Sequence, residues 1–378
     1  MTIRQRLELR AARLIRLIPP RLQVRLSGRA PIERDGQRLE PELQLMLSVL
    51  ERHGRPPYGE LSLAEARAEM RRGAIVGTQP AARPLAGVRE LEVDGAAGPL
   101  SARHYAPIPD GGPQPVIVFF HGGGFVLGDL DSHDVPCRLL AHHAGAHVVS
   151  VAYRLAPEHP FPAAVHDARA ALAWAFRHAV GLGADGRRVA VAGDSAGGNL
   201  AAVASWLAAH DGGPAPVLQL LIYPATDFAG RSRSHDLFDQ GFLLVRQDMD
   251  WFAEQYARHA DRTDPRLSIL RADVLDDVAP AVVVTAGFDP LRDEGEAYAE
   301  RLRDCGVPVL VRRFPGLMHG FINLTGVSRT ARDALVEVGG ATRALLRAGP
   351  GSDAQPAIDG QRGAGHERAV VAGQEQHR

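Results

Sequence analysis

A serine between glycines joins an apolar run to an Ala/Leu-rich segment. The run RVAVAGD (188–194) ends in the pattern G-x-S-x-G, formed by Gly193, Ser195 and Gly197. Glycines are needed around a serine on a sharp strand-to-helix turn, because a Cβ there collides with the strand or the helix. Such a turn exposes the serine oxygen, and the free amides of the first helical turn, including that of Ala196, point toward a developing oxyanion. The pattern also occurs in ordinary Gly-rich turns, so the neighbouring motifs decide whether it marks a catalytic serine.

A second glycine-rich stretch, HGGGF (121–125), directly follows the apolar run VIVFF (116–120). A serine hydrolase needs further backbone N–H donors at this point of the chain. A phosphate-binding loop is the alternative, but the stretch lacks a G-K-[ST] ending and a G-x-G-x-x-G with a later acidic ribose partner. We therefore favour the hydrolase interpretation.

A serine hydroxyl needs a histidine base, and a carboxylate must orient that histidine. His319 lies in the loop PGLMHGF (315–321), after the last predicted strand. In a triad whose chain order is Ser, acid, His, the histidine base must come after the acid, in a loop that follows a late strand. We predict His319 as the base rather than a histidine of an ordinary surface loop.

Two aspartates follow the run AVVVTAG (281–287) and are candidates for the acid. Asp289 comes directly after the run and precedes a proline. Asp293 stands before an amphipathic helix with Glu296 three residues on, which is a capping-box pattern and a sufficient structural role. We predict Asp289 as the acid and keep Asp293 as the alternative.

The elements that must position these residues alternate between short apolar runs and helical patterns. Two stretches, 88–95 and 99–107, alternate as an antiparallel start to a sheet does. Buried strands followed by helices predict an α/β fold with a mostly parallel central sheet flanked by helices. The predicted buried strands are 116–120, 147–153, 188–194, 218–224, 281–287 and 307–314.

Three zones differ in composition. Residues 1–85 are arginine-rich and helix-like, and residues 86–347 carry the α/β pattern. That pattern is interrupted at about 227–271 by a segment too long for a simple loop, which we expect to carry helices over one end of the sheet. Residues 348–378 are rich in Gly, Gln and charge, and predict a disordered tail.

Charge and composition disfavour several classes of protein. The 378 residues are 45% hydrophobic and 23% charged, which is typical of a soluble protein with a large core. A net charge of −1 gives no overall field for binding nucleic acid. With two cysteines, Cys137 and Cys305, and no N-terminal apolar stretch long enough for a signal peptide or a membrane span, we expect a cytoplasmic protein.

The N-terminal segment has the pattern of a basic amphipathic helix. Two arrangements suit such a helix. We favour a helix that packs on its own protein and exposes its arginine face to solvent, and the alternative is a helix that lies on an anionic membrane surface. Its aliphatic face comprises Leu7, Ala11, Leu14, Ile15 and Ile18, and its arginines lie mostly elsewhere.

Cys137, His142, His143 and His147 lie close together in the sequence and raise the alternative of a metal site. His143 and His147 are four residues apart, a spacing that could bring two imidazoles together on a helix. No coherent ligand set accompanies them, and His147 begins an apolar run. We predict ordinary packing and no metal.

Five blocks of the chain, in order over about residues 85–345, resemble the hormone-sensitive lipase family of α/β-hydrolases, which contains many bacterial carboxylesterases. The resemblance implies an α/β-hydrolase fold with a helical cap made of residues 1–85 and 227–271. The blocks are FFHGGGFVLGDLDSHD, SVAYRLAPEHPFPAAVHDA, VAGDSAGGNLA, TAGFDPLRDEG and PGLMHGFINL.

The resemblance also implies the roles of individual residues. Ser195 is the nucleophile, His319 the general base and acid, and Asp289 the residue that orients it. The oxyanion hole is implied to consist of the backbone N–H groups of Gly123, Gly124 and Ala196. His121 shapes the glycine loop, and no metal or organic cofactor is needed.

The expected function is that of a serine carboxylesterase that cleaves short- to medium-chain acyl esters through an acyl-enzyme. Phe125, Met318 and Phe321 flank the predicted pocket, and their apolar side chains suit apolar acyl groups. Amide or carbamate hydrolysis uses the same triad, and a non-catalytic small-molecule binder on the same fold is the other alternative. Binders of this lineage lack the triad histidine, whereas His319 is present. The resemblance also points to a homodimer.

Overall fold

The N-terminal part of the chain is mainly helical. The computed structural model describes residues 14–54, 56–78 and 84–348. Residues 1–13 of the predicted basic helix and all but the first residue of the predicted tail, 348–378, lie outside these ranges. The first elements are α1 (Pro20–Ser27), β1 (Glu33–Arg34), β2 (Gln37–Arg38), α2 (Pro41–His53) and α3 (Leu63–Gly77).

An eight-stranded sheet follows. Its strands are β3 (Gly87–Gly95), β4 (Gly98–Ala106), β5 (Gln114–Phe120), β6 (His147–Val151), β7 (Ala184–Asp194), β8 (Gln219–Ile222), β9 (Ala281–Phe288) and β10 (Val309–Met318). They lie in the order β10-β9-β8-β7-β5-β6-β4-β3. Strands β5 to β10 are parallel, whereas β4 runs antiparallel to both β3 and β6. The predicted mostly parallel sheet with an antiparallel start is confirmed.

Helices cover both faces of the sheet, and each face has its own core. Successive side chains of a strand point to opposite faces, so Phe119 and Phe120 of β5 belong to different cores. Burial on both faces explains why the strands are continuous apolar runs. The remaining helices are α4 (Asp134–Ala144), α5 (Ala163–His178), α6 (Ala196–His210), α7 (Arg233–Leu237), α8 (Arg246–Ala257), α9 (Arg292–Asp304) and α10 (Arg329–Ala348).

The segment between β8 and β9 carries the helices α7 and α8 and a short 3-10 helix, Ile269–Arg271. Helix α8 contacts the N-terminal part of the chain through aromatic rings. Tyr58 stacks on Trp251 with ring centroids 6.1 Å apart, and its ring lies 5.8 Å from that of Phe252. The two segments therefore meet beside the sheet.

Candidate active site

Ser195 lies on the sharp turn that joins β7 to α6. Its backbone has φ 55° and ψ −119°, a conformation that costs free energy in a residue other than glycine. Its N–H donates a hydrogen bond of 2.9 Å to the carbonyl of Ile222 on the neighbouring strand. A Cβ at Gly193 would overlap the carbonyl of Gly197, and a Cβ at Gly197 would overlap the carbonyl of Phe120. Both glycines of the G-x-S-x-G pattern are therefore required by close backbone contacts.

The three residues predicted as a triad form one hydrogen-bonded chain. Ser195 Oγ lies 2.9 Å from His319 Nε2, and His319 Nδ1 lies 2.8 Å from Asp289 Oδ2. Asp289 is fully buried, and its other oxygen accepts a bond of 2.8 Å from the N–H of Leu291. The residues follow β7, β9 and β10, so the parallel strands bring them to one edge of the sheet.

The structure corrects the role predicted for Asp293. Leu291, not Asp293, stands at the N-cap position of α9, and Asp293 lies in the first turn. Its carboxylate accepts bonds from the N–H of Ser234 (2.7 Å) and from Arg292 Nε (2.8 Å). The predicted capping box with Glu296 is wrong, because Glu296 Oε1 instead accepts a bond of 2.8 Å from the hydroxyl of Thr285.

The glycine loop after β5 lies beside the serine. Gly123 and Gly124 have φ of 121° and 61°, where side chains are disfavoured. A Cβ at Gly123 would overlap the carbonyl of Leu127, and a Cβ at Gly124 would overlap the ring of Phe252. Both glycines line the same cavity as Ser195 and Ala196.

A buried network holds this loop against the turn. The N–H of Gly122 donates a bond of 2.8 Å to Asp194 Oδ1, and His133 Nε2 lies 3.2 Å from the same oxygen. Burial alone would raise the pKa of Asp194, but His133 and this N–H outweigh it and lower that pKa. Burial, together with the neighbouring His133, lowers the pKa of His121 to about 4, which favours its neutral form at neutral pH. The sequence analysis assigned no role to Asp194 or His133, although both stand in the quoted blocks.

A cavity of about 1270 Å³ opens above the serine. Ser195 and His319 lie in its wall together with Phe125, whose ring stacks on Tyr256 at 3.9 Å. The remaining walls come largely from apolar side chains of both helical segments. They include Met46, Val49, Leu50, Leu61, Met70, Phe228, Leu243, Leu244, Met249 and Phe252.

Two of the three predicted pocket residues lie elsewhere. Met318 and Phe321 are fully buried in the core that packs on α4 and α10. The ring of Phe321 lies 5.2 Å from that of Tyr223. From the turn after β10 it is Gly320 that lines the cavity, followed by Leu324. The prediction of Met318 and Phe321 as substrate contacts is therefore wrong, whereas Phe125 does line the cavity.

A buried carboxyl group also lies in the cavity wall. Glu294 Oε1 accepts a bond of 2.6 Å from the N–H of Thr226 and so supports the segment that leaves β8. Glu294 Oε2 lies 3.3 Å from His235 Nε2. Burial raises the pKa of Glu294 to about 8. The sequence analysis had assigned Glu294 no role.

The residues of the metal alternative do not converge. Cys137 is buried in the core, and His147 Nδ1 lies 2.8 Å from His104 Nε2 across β4 and β6. Within residues 14–54, 56–78 and 84–348, no group of three or more His, Cys, Asp or Glu side chains is arranged to hold a metal ion.

Comparisons with known proteins give the family. A family model described as the alpha/beta hydrolase fold matches residues 117–323. The carboxylic ester hydrolase LipN of Mycobacterium tuberculosis is 50% identical over 313 residues, which are 81% of this chain and 82% of its own. Ethyl acetate hydrolase of Pseudomonas putida is 40% identical over 79% of this chain and 97% of its own.

A solved structure, the hyperthermophilic esterase of Pyrobaculum calidifontis, superposes with a TM-score of 0.77 at 38% identity, covering 81% of this chain and 98% of that one. The chain therefore belongs to the α/β-hydrolase family, in its hormone-sensitive lipase type. The predicted family and fold are confirmed.

Proposed function

We propose that the protein is a serine carboxylesterase that cleaves short- to medium-chain acyl esters with Ser195, His319 and Asp289. It is a carboxylic ester hydrolase, the class of enzyme named for its relatives. One observation carries the proposed mechanism. The hydrogen-bonded chain begins with Ser195 in the wall of a large, mainly apolar cavity and runs through His319 to the buried Asp289.

The proposed reaction begins when Ser195 Oγ attacks the ester carbonyl and His319 Nε2 takes its proton. His319 then gives this proton to the leaving alcohol. Water attacks the acyl-enzyme by the same route and releases the acid. Asp289 holds the ring of His319 in the productive tautomer and stabilises the imidazolium that forms.

The carbonyl oxygen becomes an oxyanion in both steps. We assign its stabilisation to the backbone N–H groups of Gly123, Gly124 and Ala196. Ala196 is the first residue of α6, where N–H groups have no partner within the helix. Each such donor is worth roughly 2.7–4 kcal/mol of the activation barrier. The proposed chemistry uses no metal and no organic cofactor.

The helical segments 1–85 and 227–271 form the proposed cap over the catalytic domain, residues 86–347. Support comes from the cavity, whose walls include Met46 of α2, Met70 of α3 and Phe252 of α8. Cytoplasmic localisation, a small-molecule ester as the substrate and a homodimer stay predictions.

Treatment with a fluorophosphonate, followed by peptide mass spectrometry, tests the nucleophile. We expect one adduct, on the peptide that contains Ser195, because only an activated serine hydroxyl attacks the phosphorus at a useful rate. The Ser195→Ala variant should carry none, and the exposed Ser101→Ala control should be labelled like the wild type. A folded protein with neither adduct nor turnover would favour the non-catalytic binder.

The acyl-chain profile tests the proposed substrate class. We expect kcat/KM for p-nitrophenyl butyrate or hexanoate to exceed that for palmitate by at least tenfold. The apolar wall with Phe125 at the serine suits a short acyl group. A profile that rises toward palmitate would contradict the proposal. Faster cleavage of the matched butyramide than of the ester would favour the amidase alternative.

A further inference from the structure

Helix α1 buries two uncharged polar side chains and exposes two leucines. Gln23 and Ser27 are buried, and Ser27 Oγ accepts a hydrogen bond of 2.8 Å from the buried amide of Gln44. Leu22 and Leu26 lie about 100° away around the helix and are exposed. A helix that packs only on its own protein buries its apolar stripe instead.

The turn before α1 carries two further exposed leucines and is held to the helix, because Gln23 Nε2 donates a hydrogen bond of 2.9 Å to the carbonyl of Ile15. Leu14, Leu17, Leu22 and Leu26, here called the leucine patch, are between 43% and 64% exposed. Each exposed aliphatic side chain forgoes the favourable free energy of burial. Four of them within thirteen residues, two on consecutive turns of α1, mark a surface that another phase or molecule covers.

The charges around the leucine patch indicate what covers it. Between Leu14 and Ile32 the sequence holds four arginines and no acidic residue, and one of the four, Arg29, pairs with Glu51. Arg21 and Arg25 are exposed on the same helix as two of the leucines. Leucines interleaved with arginines are typical of helices in the plane of an anionic bilayer, where aliphatic side chains enter the acyl boundary and guanidinium groups bind phosphates.

The patch is continuous with the wall of the cavity. Ile15, between the first two leucines, lines the cavity that contains Ser195, and so does the partly exposed Val49 of α2. A bilayer on the patch therefore lies beside the cavity. An ester dissolved in the bilayer would reach Ser195 without passing through bulk water.

We propose that the leucine patch docks the enzyme on an anionic phospholipid membrane and presents the cavity to membrane-dissolved esters. Docking needs no catalysis, whereas the access of esters rests on the proposed function. Within residues 14–27, Leu14, Leu17, Leu22 and Leu26 are exposed together with Arg21 and Arg25, and this exposure supports the membrane-surface alternative. No helix in the described ranges has the length and apolar character to cross a bilayer.

Flotation of the full chain with lipid vesicles tests the docking. Vesicles of phosphatidylcholine with 30% phosphatidylglycerol should carry the wild type, and pure phosphatidylcholine should carry at least tenfold less. The double variant Leu22→Ser/Leu26→Ser should lose at least tenfold of the binding to the anionic vesicles. The double variant Arg21→Gln/Arg25→Gln should bind less tightly, with a weaker dependence on salt.

Controls separate docking from folding and catalysis. Val180→Ser changes an exposed aliphatic residue elsewhere and should bind like the wild type. Turnover of soluble p-nitrophenyl butyrate should be unchanged in the leucine variant, and Ser195→Ala should still float. Docking is overturned if the wild type does not bind, or if the leucine variant binds equally well. It is also overturned if size exclusion shows a dimer that only the leucine variant loses, because the patch then joins two copies.

Discussion

Replacement of Ser195 or His319 by alanine is expected to lower kcat for p-nitrophenyl butyrate about 10⁶-fold. Either change removes the pair whose Oγ and Nε2 atoms lie 2.9 Å apart, so that neither an activated nucleophile nor a proton acceptor remains. The double variant should lose no more than either single variant, since the two side chains act as one unit. Steady-state kinetics with purified proteins of matched thermal stability measure the effect.

The residual activity of the two variants shows whether Ser195 and His319, rather than other residues, act as nucleophile and base. Both variants should retain roughly 10³–10⁴-fold catalysis over water, because the backbone N–H groups and the cavity are unchanged. Retention of more than a tenth of the wild-type kcat in His319→Ala would assign the base to another residue. A variant that has lost its thermal transition is unfolded, and its loss of kcat does not report on the catalytic role of the residue. Circular dichroism therefore accompanies each kinetic measurement.

The Asp289→Asn substitution is expected to lower kcat about 10⁴-fold with little change in KM. The amide has the size of the carboxylate, but its NH₂ group next to His319 Nδ1 stabilises the wrong tautomer. The neutral amide also leaves the developing imidazolium without its anion. Because Asp289 Oδ2 lies 2.8 Å from that nitrogen, the effect should appear in kcat rather than in substrate binding.

Asp293→Asn is the matched control, since Asp293 is the alternative acid from the sequence. Its carboxylate binds Ser234 and Arg292, which tie α7 to the start of α9. We expect kcat to change less than threefold and the melting temperature to fall slightly. A larger loss of kcat in Asp293→Asn than in Asp289→Asn would exchange the two assignments.

The buried polar network around the glycine loop shows a limit of prediction from sequence. Asp194 and His133 are 61 residues apart in the chain, yet a distance of 3.2 Å joins them beside the turn of Ser195. Neither residue has a local pattern of its own. Their pairing exists only because β5 and β7 are neighbours in the sheet, which places the loop after β5 against the turn after β7.

The sequence by itself determined the fold class, the sharp turn at Ser195 and the order serine, acid, histidine. These features depend on residues that are neighbours in the chain. The glycines around Ser195 indicate a turn with close backbone contacts, and the apolar runs indicate buried strands. Asp289 and His319 were recognised because each directly follows one of two consecutive strands. Only the tertiary structure decided the directions of side chains. Met318 and Phe321 turn into a core, and α1 turns its leucines outward, because those choices depend on partners distant in the chain.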